Sequence, residues 1–257
     1  MDVPKKSLGQ HWLHDDETLE AMVTAADVRA EDTVLEIGPG LGTLTAKLTA
    51  AAARVVAVEF DDALAAALPG RVSASNLEVA RQDILQFNLT QLPPRYKVAA
   101  NIPYYLTSNL LRVLCESTNP FSAAALLVQK EVAQRVAAGP GGMSLLALGV
   151  QLYCDVSLGQ VVPAELFTPP PKVDSQILIL HHLGRPRFDD VSPKEFFRIA
   201  RAGFGQRRKT LQNALQGGLH CSREQAQAYL TAAGIAPTAR AQTLSLEDWR
   251  RLTLVCS

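Results

Sequence analysis

Thr33-Val34-Leu35-Glu36-Ile37-Gly38-Pro39-Gly40-Leu41-Gly42-Thr43 decides the reading of this chain. A short, largely apolar run leads directly into three glycines at alternate positions, and residues 43–50 behind them have the composition of a helix. Strand, glycine turn and helix in that order are the parts of a nucleotide-binding loop. Glycines let the backbone turn tightly and let a ligand come close, while the helix N-terminus offers unpaired amides. A dinucleotide fingerprint needs G-x-G-x-x-G, and its third glycine would fall on Thr43. The spacing is wrong for NAD.

Working outward, β-branched apolar runs at 33–37, 54–59, 77–81, 97–100, 123–129, 150–156 and 175–182 alternate with longer stretches. The stretches between the first five are long enough for crossover helices, which is the signature of a doubly wound, Rossmann-like parallel sheet. Residues 145–148 fit helix and strand equally. The run Phe167-Thr168-Pro169-Pro170-Pro171-Lys172 reads as a stiff extended loop, because three prolines lack amide donors and fix φ. Past Gly184-Arg185-Pro186 the pattern turns all-helical, with capping signals at Ser192, Ser222 and Ser245. The expected organisation is an α/β domain over residues 1–184 and a small helical domain over 185–257.

Apolar residues make up 47% of the chain and charged ones 19%, a balance that fits a globular protein and neither a disordered nor a fibrous one. No apolar run spans a bilayer, and the residues after Lys5 and Lys6 are too polar for a signal peptide. Cys115, Cys154, Cys221 and Cys256 have no paired spacing, which speaks against a zinc site or a disulfide framework and for a reducing cytoplasm. No metal is expected, and a monomer is the default state. The formal net charge is zero, but it hides an asymmetry. Residues 185–257 hold 12 Lys and Arg against 6 Asp and Glu, leaving 13 against 19 for residues 1–184. A basic helical tail on an acidic body suits a nucleic-acid partner, although charge alone is also an ordinary surface property.

The glycine spacing fits the G-x-G-x-G turn of S-adenosylmethionine enzymes, in which an amino-acid tail lies beside the loop. Glu59 closes the second strand about twenty residues on, where a carboxylate can accept bonds from both ribose hydroxyls; beside Asp61 and Asp62 it also reads as a surface acid. Asp83 follows the third strand, where it can accept from the adenine amine or serve its own turn. Asn101-Ile102-Pro103-Tyr104 ends the fourth strand and carries the most specific chemistry. The exocyclic amine of adenine is a poor nucleophile because its lone pair is delocalised. An Asn oxygen and a backbone carbonyl of one turn can accept its two N–H bonds and favour a tetrahedral nitrogen. Pro103 fixes the turn and an aromatic ring stacks on the base. By itself, Asn-x-Pro-Tyr is also simply a turn after a strand.

Taken with Leu8-Gly9-Gln10-His11-Trp12-Leu13, Gln129-Lys130-Glu131-Val132, Phe167 to Ser175 and Phe204-Gly205-Gln206-Arg207-Arg208-Lys209-Thr210, these motifs resemble the bacterial small-subunit ribosomal RNA adenine dimethyltransferases over nearly the whole chain. The resemblance implies an S-adenosylmethionine-dependent enzyme that dimethylates the N6 amines of two adjacent adenosines near the 3′ end of 16S rRNA in an immature small subunit. It implies that Gln10, His11 and Leu13 close over the cofactor, that Gly38 and Gly40 line its amino-acid end, and that Glu59 and Asp83 hold ribose and adenine. It places Asn101, Pro103 and Tyr104 at the methyl-transfer site, Asn101 also touching the cofactor, with Phe167 as a second aromatic wall. His11 and Trp12 stand where the family often has Asn and Phe. Arg207, Arg208 and Lys209 are assigned to RNA phosphates as a basic run at a loop-to-helix junction. Two alternatives stand beside this reading: a resistance-type large-subunit rRNA methyltransferase, and an assembly factor acting mainly by binding.

Overall fold

The computed structural model describes residues 9–206 and 208–256. In chain order the elements are β1 (Trp12–Leu13), α1 (Asp16–Ala25), β2 (Thr33–Ile37), α2 (Thr43–Ala51), β3 (Arg54–Glu59), α3 (Asp62–Arg71), β4 (Leu77–Arg81), β5 (Lys97–Asn101), α4 (Thr107–Cys115) and β6 (Ala123–Gln129). They continue with α5 (Lys130–Val136), α6 (Leu145–Gln151), β7 (Cys154–Val162), β8 (Phe167–Thr168), β9 (Ser175–His182), α7 (Pro193–Phe204), α8 (Leu211–Leu219), α9 (Arg223–Ala232) and α10 (Leu246–Cys256). Two compact units result: Met1–Ala133 with Cys154–Gly184, and Gln134–Tyr153 with Arg185–Ser257.

The first unit holds a seven-stranded sheet in the order β4-β3-β2-β5-β6-β9-β7, and a separate ribbon pairs β1 with β8. Strands β2 to β6 run parallel, so β2, β3, β4 and β5 all end at one sheet edge, with Ile37 beside Val58 and Ala100, and Glu59 beside Arg81. The interior positions of β3, β5 and β6 are apolar on both faces, as a covered parallel sheet requires, whereas β2 carries the buried Glu36 and the edge strand β4 the exposed Glu78; Val34, Val55, Val98 and Leu126 are fully buried. One strand departs from an all-parallel sheet: β9 is antiparallel to both β6 and β7, so β7 at the edge again runs in the direction of β6. A parallel return would need a crossover, and the proline run between β7 and β9 forbids a helix there.

Three further expectations are corrected. Between β4 and β5 there is no crossover α-helix. Two single 3-10 turns stand there instead, capped by Asp83 and Asn88, and Pro93-Pro94 ends the segment. Residues 150–156 are not one strand. Ser144 caps α6 by accepting from the Ala147 amide, so Val150 belongs to a helix and the strand starts at Cys154. Within 167–172, Phe167 and Thr168 pair with β1 before the prolines begin. Cys115 and Cys154, 39 positions apart, bring their buried thiols to 3.7 Å.

The second unit is helical, and it takes in residues 134–153, which a division at 184/185 assigns to the α/β domain. Backbone bonds explain this. Gly141 and Met143 both donate to the Gln242 carbonyl, and Arg187 donates to Leu152. Ser192 and Ser222 cap α7 and α9, the latter with a complete capping box to Gln225. Ser245 and Asp248 exchange the same reciprocal bonds at α10. Trp249 fills the centre, fully buried and stacked on Phe204 at 5.4 Å. Among the described residues no helix is long and apolar enough to cross a membrane.

Candidate active site

The glycine turn after β2 has the geometry its composition demands. Gly38, Gly40 and Gly42 all have positive φ, at 67°, 57° and 89°. At Gly42 a Cβ would also stand 2.8 Å from both Leu68 and Val72, so conformation and space each require glycine there. No side chain caps the N-terminus of α2. Trp12 lies against Gly40, and Thr43 Oγ1 donates to the Leu13 carbonyl, which fastens β1 over the turn.

Glu59, at the end of β3, is 6% exposed. Its carboxylate accepts from the Gly40 amide at 3.1 Å and from the Asp61 amide at 2.8 Å. Burial raises its pKa, and the Asp61 and Gly40 amides oppose the rise. Asp83 accepts from the Leu85 amide at 2.9 Å.

The turn after β5 is set by a bond from the other end of the chain. Asn101 Nδ2 donates to the His11 carbonyl at 2.9 Å. A carbonyl only accepts, so this contact fixes which end of the amide is which and leaves Oδ1 as an acceptor with no partner among the described residues. Tyr104 stacks on His11 with ring centres 6.0 Å apart, and its hydroxyl shares a 2.9 Å hydrogen bond with Ser175. Burial raises the Tyr104 pKa. His11 Nδ1 is itself 2.7 Å from the Pro169 carbonyl.

These residues share one cavity of about 220 Å³. Gln10, His11, Leu13, Gly38, Gly40, Glu59, Asp83, Asn101, Pro103 and Tyr104 all line it, so ten expected positions drawn from five segments converge. Phe167 does not. It is 3% exposed and packs in the apolar cluster with Leu13, Leu19 and Val162, because its pairing with Leu13 turns the ring into the core. In this conformation it is a core residue and forms no wall of the cavity. Arg208 and Lys209 are exposed in the second unit between α7 and α8, with no acidic partner among the described residues; Arg207 lies outside the described residues.

Sequence reasoning missed Glu36. It lines the cavity, is 1% exposed, and its Oε2 has no hydrogen-bond partner among the described residues. Burial pushes its pKa up to about 8, so the carboxyl is mostly protonated at pH 7. The signal was available, as a lone acid inside the apolar run Thr33-Val34-Leu35-Glu36-Ile37. Phe60, 60% exposed at the cavity, was missed as well. No cluster of three or more His, Cys, Asp or Glu side chains suited to a metal ion occurs among the described residues.

A site of this form has known relatives. The family model for ribosomal RNA adenine dimethylase matches residues 1–256. Ribosomal RNA small subunit methyltransferase A of Dehalococcoides mccartyi is 44% identical over 255 residues, covering 98% of this chain and 88% of the relative. The protein of that name from Syntrophotalea carbinolica is 40% identical, covering 97% and 95%. Among solved structures, the 23S rRNA methyltransferase ErmE has a TM-score of 0.78 at 27% identity, covering 95% of this chain and 98% of its own. A dimethyladenosine transferase from Plasmodium falciparum has 0.77 at 28%, covering 94% and 96%. With the glycine turn, Glu59 and the Asn101 turn assembled in one cavity and the match spanning the chain end to end, this protein belongs to the ribosomal RNA adenine dimethylase family.

Proposed function

We propose that the chain transfers methyl groups from S-adenosylmethionine to the N6 amines of two adjacent adenosines near the 3′ end of small-subunit rRNA, giving N6,N6-dimethyladenosine. The observation that carries this reading is the Asn101 amide, held by the His11 carbonyl so that its free oxygen is available to a base amine. Small-subunit RNA is favoured over large-subunit RNA because relatives named for the small subunit reach 44% identity, against 27% for the large-subunit enzyme. Offering both ribosomal subunits, unmethylated and in separate reactions, with labelled methyl donor tests the choice; label entering only the large subunit would reverse it.

S-adenosylmethionine supplies an electrophilic methyl group on a sulfonium. The residues present fit it. The orphaned Glu36 oxygen beside Gly38 suits the ammonium of an amino-acid tail, the Glu59 carboxylate suits ribose hydroxyls, and Asp83 beside Ile84 suits an adenine. Asn101 Oδ1 accepts one N–H of the target amine and a backbone carbonyl of the turn accepts the other, which localises the nitrogen lone pair. Tyr104, braced by Ser175, holds the base by stacking. Each transfer exchanges one N–H for an N–methyl bond and the displaced proton leaves to solvent; the amine then keeps a single hydrogen, which rotation about its C–N bond would return to an acceptor for the second transfer.

Glu36 makes cofactor binding proton-linked. Its pKa in the unliganded fold lies above the ordinary carboxylate range, so at pH 7 it holds a proton that a bound ammonium displaces. Calorimetry at pH 7 in two buffers of different ionisation enthalpy should report release approaching one proton, and Glu36→Gln should abolish the release. Zero release or net uptake by the wild type would exclude this role.

Arg207, Arg208 and Lys209 act, in this reading, on RNA affinity through phosphates, and the second unit as a basic RNA grip. Other cations of that unit are already engaged, Arg185 with Asp189 and Arg198 with Glu195. Changing all three to Ala should flatten the dependence of log K on log salt by roughly 2 to 3 units, with cofactor binding kept. An unchanged slope would assign them a structural role.

A further inference from the structure

The rim of the cavity carries a ring that none of the chemistry above uses. Tyr105 follows Tyr104 in the same 3-10 turn, lines the cavity and is 66% exposed. Single exposed apolar side chains are ordinary on protein surfaces, so exposure alone carries no weight. Position does. A side chain at Gly9 would stand 3.5 Å from Cδ1 and 3.6 Å from Cε1 of the ring, and 3.7 Å from Pro103 Cβ. The Gly9 backbone therefore backs one side of the ring, and the rest is open to solvent. The Tyr105 hydroxyl has no hydrogen-bond partner among the described residues.

An adenosine whose amine is to meet Asn101 must leave its stack, and the base beside it loses a neighbour at the same moment. An open, backed aromatic ring one residue from the stacking tyrosine is where that neighbouring base finds a replacement partner. We propose that Tyr105 is the platform on which the nucleotide next to the target adenosine stacks, an inference that rests on the RNA reading above. For two adjacent targets the arrangement is economical. While one adenosine occupies the Asn101 turn, the other is the neighbour, and the ring lowers the free energy of the bound, unstacked RNA.

The test is steady-state methylation of unmethylated small ribosomal subunits by wild type, Tyr105→Ala, Tyr105→Phe and Tyr105→Trp, with cofactor affinity measured separately by calorimetry. Tyr105→Ala should raise KM for the subunit roughly 5- to 100-fold, the effect falling on KM more than on kcat. Phe and Trp should restore KM to within about threefold, since stacking needs a ring and no hydroxyl. An unchanged KM in Tyr105→Ala overturns the inference. So does a Phe variant as defective as Ala, which would assign the role to the hydroxyl, or a loss of cofactor binding shared by Ala and Trp, which would make the residue part of the cofactor site. A wild type that leaves small subunits unmethylated counts instead against the RNA reading itself.

Discussion

Asn101→Ala should lower the single-turnover methyl-transfer rate by about 10²- to 10³-fold, the range for removing one acceptor or donor aimed at charge that develops in a transition state. The Asn101 oxygen is free because the His11 carbonyl takes the amide hydrogens, so the alanine variant loses the acceptor and also leaves that carbonyl without its donor. Cofactor affinity and subunit affinity should change far less than the rate, which separates chemistry from binding and so bears on whether the protein acts mainly by holding the subunit. Mass spectrometry of nuclease digests, following mono- and dimethyladenosine over time, reads the rate directly. Full activity in Asn101→Ala would refute the mechanism, whatever the family.

Trp249→Ala should destabilise the second unit by about 3–5 kcal/mol, the usual cost of deleting a large buried aromatic side chain. The side chain is fully buried and stacked on Phe204, and Gly203 beneath it has no room for a Cβ, which would approach the indole to 2.5 Å. With so tight a fit the neighbours have little scope to fill the space, and the cavity term is retained in full. Thermal and urea denaturation followed by circular dichroism at the helical signal, which α7 to α10 contribute to, checks this. A loss under 1 kcal/mol would show that the unit repacks around the gap.

The parts of the fold that were legible in the sequence are those in which local pattern and tertiary role agree. Five parallel strands announced themselves because a sheet covered on both faces needs largely apolar runs, broken here only by Glu36 in β2 and by Glu78 in the edge strand β4, and the glycine turn because no other residue adopts three positive φ values so closely spaced. What escaped was decided at long range. Residues 134–153 join the second unit through backbone bonds to Gln242, and nothing in their own composition points there. Strand β7 was misplaced because it lies at the sheet edge, where a Gly159-Gln160 break and exposed side chains dilute the apolar signal. At the site, motif spacing located Asn101, Glu59 and Asp83, but the partner that orients Asn101 is a backbone carbonyl, and a carbonyl leaves no mark in a sequence. Phe167 shows the converse. Its motif is conspicuous, yet pairing with Leu13 turns the ring inward, and only the register reveals that.

The ribbon of β1 and β8 ties assembly of the site to the progress of synthesis. His11, whose carbonyl orients Asn101, is made 158 positions before Pro169, which its ring meets. A nascent chain folds as its domains become available, at a pace of about 5–20 residues per second. The glycine turn, Glu59 and Asn101 are therefore all exposed before the segment that fastens the cover over them exists. Until about two-thirds of the chain has been made, the N-terminal strand has no partner to pair with. A product that stops short of Phe167 keeps every motif residue from Gly38 to Tyr104 but lacks the strand with which β1 pairs and the Pro169 carbonyl that His11 meets.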